Sequence, residues 1–346
     1  MRGIPEPVYL ESGVLYVLDQ RRLPHEEVYL EIKDVEHLCV AIKGLSVRGA
    51  PLIAIAALYG LLLEIEDRGF SREVLLFAME KLASTRPTAF NLFRALDEVR
   101  KAVDSGAGEE KIKRLIKRLI TREKESTHRI AAYGAEIVGG GRALTICNTG
   151  VLATGSMGTA LGIIFALAER GKIEMVYVSE TRPLLQGARL TAWELLKTGI
   201  PHRLITDNTA AYLMSLGLVD FVVIGADRIA LSGDTANKIG SLSLAISAKY
   251  YDIPFYVAAP VTTIDRSLLS GDEIPIEERD EKEVLEFGGR TIAPEGTGAL
   301  NFAFDVVPSK LITAIITDRG VARPPYREAL EKLLSLSDAE LGEDAG

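Results

Sequence analysis

Between residues 7 and 32 apolar and polar positions alternate in short runs, Val14-Leu15-Tyr16-Val17-Leu18 and Glu27-Val28-Tyr29-Leu30, with turn residues between them. A period of two turns one face of each run inward, which predicts a small antiparallel sheet. From Asp34 to about Gly140 the spacing becomes helical. Asp34 suits the N-cap of a helix carrying Leu38, Val40, Ala41 and Leu45, and Gly44 and Gly49 interrupt the helical spacing near its end. Ala50 to Leu63 reads as a buried, alanine-rich helix. Further helices are predicted over 72–84, 89–104 and 109–138, the last mainly amphipathic. Gly139-Gly140-Gly141 ends the pattern and marks the boundary between a domain at 1–140 and another at 141–346.

Beyond that boundary strand and helix signals alternate. Strands are predicted at 143–147, 174–178, 203–206, 220–225, 254–258 and 311–316, most of them apolar without strict alternation. Helices are predicted between them at 156–170, 186–198, 208–216 and 237–250. Continuous apolar strands interleaved with helices imply a parallel sheet covered on both faces. The expected fold is therefore α/β: a doubly wound, Rossmann-like parallel-sheet domain at the C-terminus, preceded by a mainly helical domain with a small antiparallel sheet. The tail Ser337–Gly346 is expected to fray.

Composition narrows the function classes. The chain has 346 residues, 47% apolar and 25% charged, with a net charge of −8. A negative surface argues against nucleic-acid partners, which need clustered Lys and Arg. The densest basic run, Lys111 to Lys124, is interleaved with Ile and Leu at helical spacing and reads as a solvated helix face. The longest apolar stretch, Pro51 to Leu63, is too short to span a bilayer, and no signal-peptide pattern is visible. Two cysteines, Cys39 and Cys147, make no disulfide framework, so a cytoplasmic setting without membrane attachment is expected. Only two Gln and five Asn occur, a pattern compatible with a hot-growing source. His25, His37, His128 and His202 are scattered without ligand spacing, so no metal site is indicated.

The chemistry gathers at the predicted strand ends. The first runs into Cys147-Asn148-Thr149-Gly150, the next into Ser179-Glu180-Thr181-Arg182-Pro183, and the next into Thr206-Asp207-Asn208. The fourth ends in Gly225-Ala226-Asp227-Arg228 and the fifth in Ala258-Ala259-Pro260. In a parallel sheet these ends share one edge, where ligands bind. For Asp207 or Ser179 alone a capping role suffices, but the whole rim, with its cysteine and acids, points to a site. A cysteine there lies near a helix N-terminus, which favours the reactive thiolate. Gly150, Gly155 and Gly158 lead into the predicted helix near 156, where free N–H groups can hold an anion. Neither a Walker motif nor Gly-x-Gly-x-x-Gly is present, so nucleotide cofactors are unsupported. Ser46-Val47-Arg48-Gly49-Ala50-Pro51 adds an arginine suited to clamping phosphate. Thr85-Arg86-Pro87-Thr88 offers another, and Asn237-Lys238, at a predicted helix start, an amide and a charge.

Together these segments resemble the methylthioribose-1-phosphate isomerase family. The resemblance is carried by Val47-Arg48-Gly49-Ala50-Pro51, Arg86-Pro87-Thr88-Ala89, Cys147-Asn148-Thr149-Gly150 and Glu180-Thr181-Arg182-Pro183. It continues through Gln186-Gly187-Ala188-Arg189-Leu190-Thr191-Ala192-Trp193-Glu194, Gly225-Ala226-Asp227-Arg228 and Asn237-Lys238-Ile239-Gly240. Ile276-Glu277-Glu278-Arg279 and Ile292-Ala293-Pro294-Glu295-Gly296 also match, so the likeness runs from about residue 10 to 325. The wider group includes ribose-1,5-bisphosphate isomerases and the regulatory subunits of a translation-initiation exchange factor. Gly-Ala-Asp-Arg is shared across much of it, whereas the segments ending in Glu194 and Arg279 favour the methylthioribose branch. Thr149 replaces a common alanine, Ser156-Met157 a common Gly-Tyr pair, and Leu231-Ser232 a frequent Ala-Asn, which puts substrate preference in question more than reaction class.

The resemblance implies conversion of 5-methylthioribose 1-phosphate to 5-methylthioribulose 1-phosphate in methionine salvage. Cys147 and Asp227 are implied as the catalytic pair, Asp227 as an acid raised by burial and Cys147 as the thiolate that moves a proton from C2 to C1; a hydride shift gives the same product. Arg48, Gly49, Ala50, Arg86, Gln186, Asn237 and Lys238 are implied as substrate-binding, with backbone N–H groups near Gly49 and Ala50 facing the phosphate. No metal or organic cofactor is implied. The expected partners are a phosphorylated pentose and a second copy of the chain. Ribose-1,5-bisphosphate isomerisation and a non-catalytic exchange-factor-like regulatory role are the alternatives; retention of Cys147 and Asp227 speaks against the second.

Overall fold

The computed structural model describes residues 3–86 and 89–336; Pro87-Thr88 and the tail Ser337–Gly346, expected to fray, lie outside them. Three antiparallel strands come first, β1 (Val8–Glu11), β2 (Val14–Leu18) and β3 (Tyr29–Ile32), in the order β1-β2-β3. Alternation decides their faces: Leu15 and Val17 are buried, while Tyr16 stacks on Tyr9 at 5.1 Å.

Helices come next: α1 (Val35–Lys43), α2 (Ala50–Arg68), α3 (Arg72–Ala83), α4 (Phe90–Asp104) and α5 (Glu109–Ile137). Asp34 caps α1 by accepting the His37 N–H at 2.8 Å. Val40, expected on the apolar face, is instead 69% exposed; it stands two residues from Leu38 and so on the far side of the helix. The centre of this half is α2, buried from Leu52 to Leu58 and packed by α1, α3, α4 and α5. It continues past Leu63 to Arg68 because Glu64 is used: it accepts the Val35 N–H at 3.2 Å and pairs with Arg68 at 3.4 Å.

Strands and helices then alternate through β4 (Gly141–Thr145), α6 (Val151–Thr154), α7 (Ala160–Glu169), β5 (Ile173–Ser179), α8 (Ala192–Thr198), β6 (His202–Ile205), α9 (Ala210–Ser215) and β7 (Phe221–Ile224). The chain continues with β8 (Arg228–Ala230), β9 (Thr235–Lys238), α10 (Ser241–Tyr250), β10 (Phe255–Ala258), β11 (Ile264–Asp265) and α11 (Lys282–Leu285). It closes with β12 (Glu286–Phe287), β13 (Arg290–Thr291), β14 (Phe304–Val307), β15 (Ala314–Thr317), β16 (Gly320–Ala322) and α12 (Tyr326–Ser335). The main sheet has the order β16-β15-β10-β7-β4-β5-β6, parallel except for the β15–β16 pair. Its central strands β7, β10 and β15 are buried along their whole length, the signature of a sheet covered on both faces. The strand order reverses between β4 and β7, which is where a doubly wound sheet opens a crevice.

The expected α/β architecture is present, with differences that bear on the site. The helix predicted at 156–170 is α7, which starts only at Ala160; ahead of it the chain makes an unexpected single turn, α6, ended by Gly155 in a left-handed conformation at φ +69°. The helix predicted at 237–250 starts only at Ser241, because Thr235–Lys238 are strand β9. That strand belongs to a second sheet, β11-β8-β9-β14, where it pairs with Phe304–Val307. The expected strand at 311–316 begins at Ala314, after a tight turn over Ser309–Leu311, and α12 lies where no element was expected.

Candidate active site

Cys147 lies just past the carboxyl end of β4 and Asp227 just past that of β7, the two strands that flank the reversal. Cys147 has a left-handed backbone at φ +64°, uncommon for a residue with a side chain. Two threonines hold it there: its N–H donates to Thr181 Oγ1 at 2.8 Å, and its carbonyl accepts from Thr191 Oγ1 at 2.6 Å. Thr181 is also left-handed, at φ +67°. Asp207 fixes it, accepting from Ser179 Oγ at 2.6 Å, the Thr181 N–H at 2.8 Å and the Arg182 N–H at 2.7 Å. Ser179 and Asp207 therefore serve as loop anchors, and the β4, β7 and β10 ends face the ligand space.

The helix behind Cys147 is a single turn, and its N-terminus is already taken. Glu194, fully buried, accepts the Val151 N–H at 2.8 Å, the Leu152 N–H at 3.2 Å and Asn148 Nδ2 at 2.8 Å. A Cβ at Gly150 would lie 2.2 Å from Glu194 Oε2, so glycine admits the carboxylate. Burial pushes the Glu194 carboxyl upward, opposed by these hydrogen bonds and by the Arg48 charge. The start of α10 is likewise closed: Asp305 accepts the Gly240 N–H at 2.7 Å and the Leu242 N–H at 3.0 Å. Of the anion site expected where Gly150, Gly155 and Gly158 lead into a helix, the α6 start is filled by Glu194, and at the α7 start the Leu161 N–H donates to Thr149 Oγ1 at 3.0 Å.

The start of α2 is open. Its N-cap, Gly49, makes no side-chain cap bond, and Gly49, Ala50 and Pro51 line the cavity. Gly49 has φ +90°, and a Cβ there would sit 2.6 Å from the Ala153 carbonyl, so only glycine fits. A long helix with uncapped first-turn N–H groups presents partial positive charge to an anion. Arg48 stands beside it, 8% exposed. Its Nη2 donates to the Asn148 carbonyl at 3.0 Å, whereas its Nη1 is buried without a hydrogen-bond partner. Gln186 Oε1 and Arg86 Nε are in the same state. Buried polar atoms are normally paired, so their convergence on one cavity makes it the candidate site for a polar ligand.

Around Asp227, burial raises the carboxyl above its ordinary range, while Lys238, Arg86 and Arg48 pull it down and Glu277 pushes it up. Its N–H donates to the Ala236 carbonyl at 2.9 Å, which ties it to β9 and so to Asn237 and Lys238. These last residues end a strand and do not open a helix. Asn237 Nδ2 donates to Ser241 Oγ at 2.8 Å, and Lys238 Nζ donates to the Ala303 carbonyl at 2.9 Å, 4.7 Å from the Phe304 ring centroid.

Cys147, Asp227, Arg48, Gly49, Ala50, Arg86, Gln186, Asn237 and Lys238 all line one cavity of about 790 Å³ that opens to solvent. The cavity offers a thiol, a carboxyl whose pKa burial raises, several cations and an open helix start, which together fit acid–base work on a small anion. Arg279, Leu45, Leu184 and Phe304 line it too, and sequence reasoning assigned them no role. Arg279 was visible as the lone cation in Ile276-Glu277-Glu278-Arg279; the others carried no chemical signal. Among the described residues no three His, Cys, Asp or Glu cluster as metal ligands, and no helix is long and apolar enough to cross a membrane.

The chain matches the model of the initiation factor 2 subunit family over residues 46–324. It is 51% identical to a methylthioribose-1-phosphate isomerase of Pelotomaculum thermopropionicum, over 93% of this chain and 92% of that one. It is equally identical to the enzyme of that name from Thermotoga maritima, over 93% and 96%. Among solved structures, a 5-methylthioribose 1-phosphate isomerase from Pyrococcus horikoshii OT3 superposes with a TM-score of 0.90 at 42% identity, covering 96% of this chain and 97% of the other. A protein from A. fulgidus described as translation initiation factor eIF-2B, subunit delta, superposes at 0.84 with 41% identity, covering 96% and 100%.

Proposed function

Since the chain belongs to the initiation factor 2 subunit family, within its methylthioribose-1-phosphate isomerase branch, we propose that Cys147 and Asp227 carry out its reaction. The activity is an aldose–ketose isomerisation that converts 5-methylthioribose 1-phosphate to 5-methylthioribulose 1-phosphate. Phosphate on C1 blocks ordinary ring opening, so the ring oxygen must be protonated while the C1–O bond breaks. Asp227 supplies that proton, the role its raised carboxyl suits. The Cys147 thiolate removes the C2 proton and the electron pair forms the C1–C2 enol. Cys147 then returns the proton to C1 as the 2-hydroxyl becomes a carbonyl and gives its own proton back to Asp227. All electrons stay within the sugar, so no cofactor enters the balance.

The single observation behind this assignment is the convergence of the thiol, the carboxyl and the uncommitted polar atoms of Arg48, Arg86 and Gln186 on one cavity. Arg48, Arg86 and the Gly49–Ala50 backbone take the 1-phosphate; Gln186, Asn237 and Lys238 take the sugar. A second cavity adjoins the first through Leu45, Arg48, Leu184 and Gln186, and adds Leu190, Arg21 and Arg189. Its further cations are already engaged. Arg189 Nη2 donates to the carbonyls of Gln20 at 2.6 Å, Arg21 at 3.2 Å and Leu23 at 3.1 Å, and Arg21 pairs with Asp19 at 2.7 Å. The leucines remaining favour a methylthio group over a second phosphate at C5.

We further propose the division into domains at 1–140 and 141–346, a cytoplasmic setting with both cysteines reduced, and a homodimer without nucleic-acid or membrane partners. Tyr212 and Leu216, and Ile246 and Tyr250, stand four residues apart on the neighbouring α9 and α10 segments and are 64%, 52%, 54% and 79% exposed. That apolar face is the dimer surface.

Turnover of 5-methylthioribose 1-phosphate and ribose 1,5-bisphosphate, assayed side by side in deuterated water by NMR, tests the assignment. Deuterium at C1 of methylthioribulose 1-phosphate is expected. Complete retention of the C2 hydrogen would replace the thiolate shuttle by a hydride shift, and turnover of the bisphosphate alone would overturn the substrate assignment.

A further inference from the structure

Arg86 and Arg279 both line the cavity, yet their donors are spent differently. Arg279 is anchored: Nε donates to Glu283 at 2.9 Å, Nη2 to Glu283 at 2.5 Å, and Nη1 to Glu277 Oε1 at 3.0 Å. Arg86 is not. Its Nη2 lies 3.6 Å from Glu277 Oε2, an ion-pair distance too long for a hydrogen bond, and its Nε is buried without a partner. Glu277 thus holds Arg279 by a hydrogen bond and Arg86 only at ion-pair distance.

The two carriers come from different parts of the chain. Arg86 comes just after α3, while Glu277 sits on the strap that returns through Ala303 to the pocket wall. That strap is held by the Ala303 N–H on the Glu277 carbonyl at 2.9 Å and the Arg279 N–H on the Asn301 carbonyl at 2.8 Å. The carboxylate therefore has a fixed seat and Arg86 can leave it.

We propose that Glu277 is a positioning residue: it aims Arg86 at the cavity without consuming its donors, surrenders it to the incoming phosphate, and balances the positive charge that the arginines bring to Asp227. A phosphate dianion out-competes the carboxylate because it offers more acceptor oxygens to the guanidinium fork. The charged groups that act on Asp227 are Lys238, Arg86 and Arg48, which disfavour its proton, and Glu277, which favours it. Glu277 accordingly weakens anion binding in the empty site and keeps the acid loaded. This role presupposes that Asp227 is the acid and Arg86 an anion ligand.

Glu277→Gln removes the charge and keeps the size. Inorganic phosphate, as competitive inhibitor, should bind it roughly twofold to fivefold more tightly, the range of a partly screened ion pair. KM should fall with it, and the alkaline limb of the kcat profile should move to lower pH because Asp227 loses its proton sooner. Lower KM with lower kcat is a combination that loosened packing does not give. Glu277→Asp, which restores the charge, should return both quantities toward the parent. An unchanged phosphate constant and unchanged limb in Glu277→Gln, or the same shifts in Glu277→Asp, would overturn the role; poor folding of Glu277→Gln leaves Glu277→Asp and the parent's phosphate competition to decide it. Asp227→Asn separates the premises: if it turns over like the parent, the acid assignment fails, while phosphate binding still reads the Arg86 exchange.

Discussion

At the scale of single residues, the roles proposed for Cys147 and Asp227 each make a prediction. Cys147→Ser changes little volume, and the left-handed turn is held through backbone groups by Thr181 and Thr191, so the variant should fold while kcat falls about 10²–10⁴-fold. Cys39 lies half-buried on α1 and does not line the cavity, and Cys39→Ala should keep parental turnover. Near-normal activity in Cys147→Ser would remove the thiolate from the proton path. Asp227→Asn should bind substrate in calorimetry yet lose most turnover, since the amide cannot donate a carboxylic proton. Its stability is set by linkage. A carboxyl raised on folding contributes stability below its unfolded value and loses it as pH rises through the folded one. At neutral pH the asparagine variant should therefore melt at or above the parent temperature, and a clear drop would mark Asp227 as structural.

Loops and short helices around the sheet edge are organised by carboxylates the mechanism does not touch. Glu194 joins α8 to the turn after Cys147 and to α6, and Asp207 joins the β6 end to the β5 loop. Both fill N–H groups that would otherwise compete for the substrate's phosphate, leaving the α2 start as the open one. Glu194→Ala should strand the Val151, Leu152 and Asn148 donors and the Arg48 charge, at a cost of about 3–5 kcal/mol. Urea unfolding measures this directly, and a loss below about 1 kcal/mol would mean that the carboxylate is dispensable to the turn.

Across the whole molecule, a buried polar seam joins the helical half to the sheet half. Asn91 Nδ2 donates to Thr262 Oγ1 at 3.3 Å, the Val261 N–H donates to Asp318 at 2.7 Å, and Arg129 Nε donates to the Asp318 carbonyl at 3.2 Å. Glu123 of α5 faces this seam. Burial pushes its carboxyl up to about 7 and Asp318 adds to the rise, while Arg122, Thr262 and Arg94 oppose it. Its stabilising contribution is complete below the unfolded value and is lost as pH rises through about 7. The melting temperature of Glu123→Gln should therefore gain on the parent from pH 5 to pH 8, and a gap that does not change with pH would place the charge elsewhere. Assembly is read at the same scale. Light scattering should give a dimer mass, and Ile246→Asp on the exposed α10 face should give a monomer; a parent monomer at micromolar concentration would remove the dimer proposal.

What the sequence determined by itself was local or carried by residue type. Period-two runs placed the first sheet, helical spacing placed α1 to α5, and unbroken apolar runs announced a sheet covered on both faces, because burial pattern is a direct consequence of side-chain periodicity. Cys147, Asp227, Arg48 and Lys238 were legible as chemistry at element ends. Tertiary structure decided what depends on pairings distant in the chain. Thr235–Lys238 is a strand because Phe304–Val307 lies beside it, and a local window with a helix just ahead could not register that partner. Which of these helix starts stays open was settled by Glu194 and Asp305, carboxylates that fold back onto the starts of α6 and α10, while α2 has no side-chain cap. Hydrogen-bond satisfaction is a property of three-dimensional neighbours, and it selected one open site among several that looked alike in sequence.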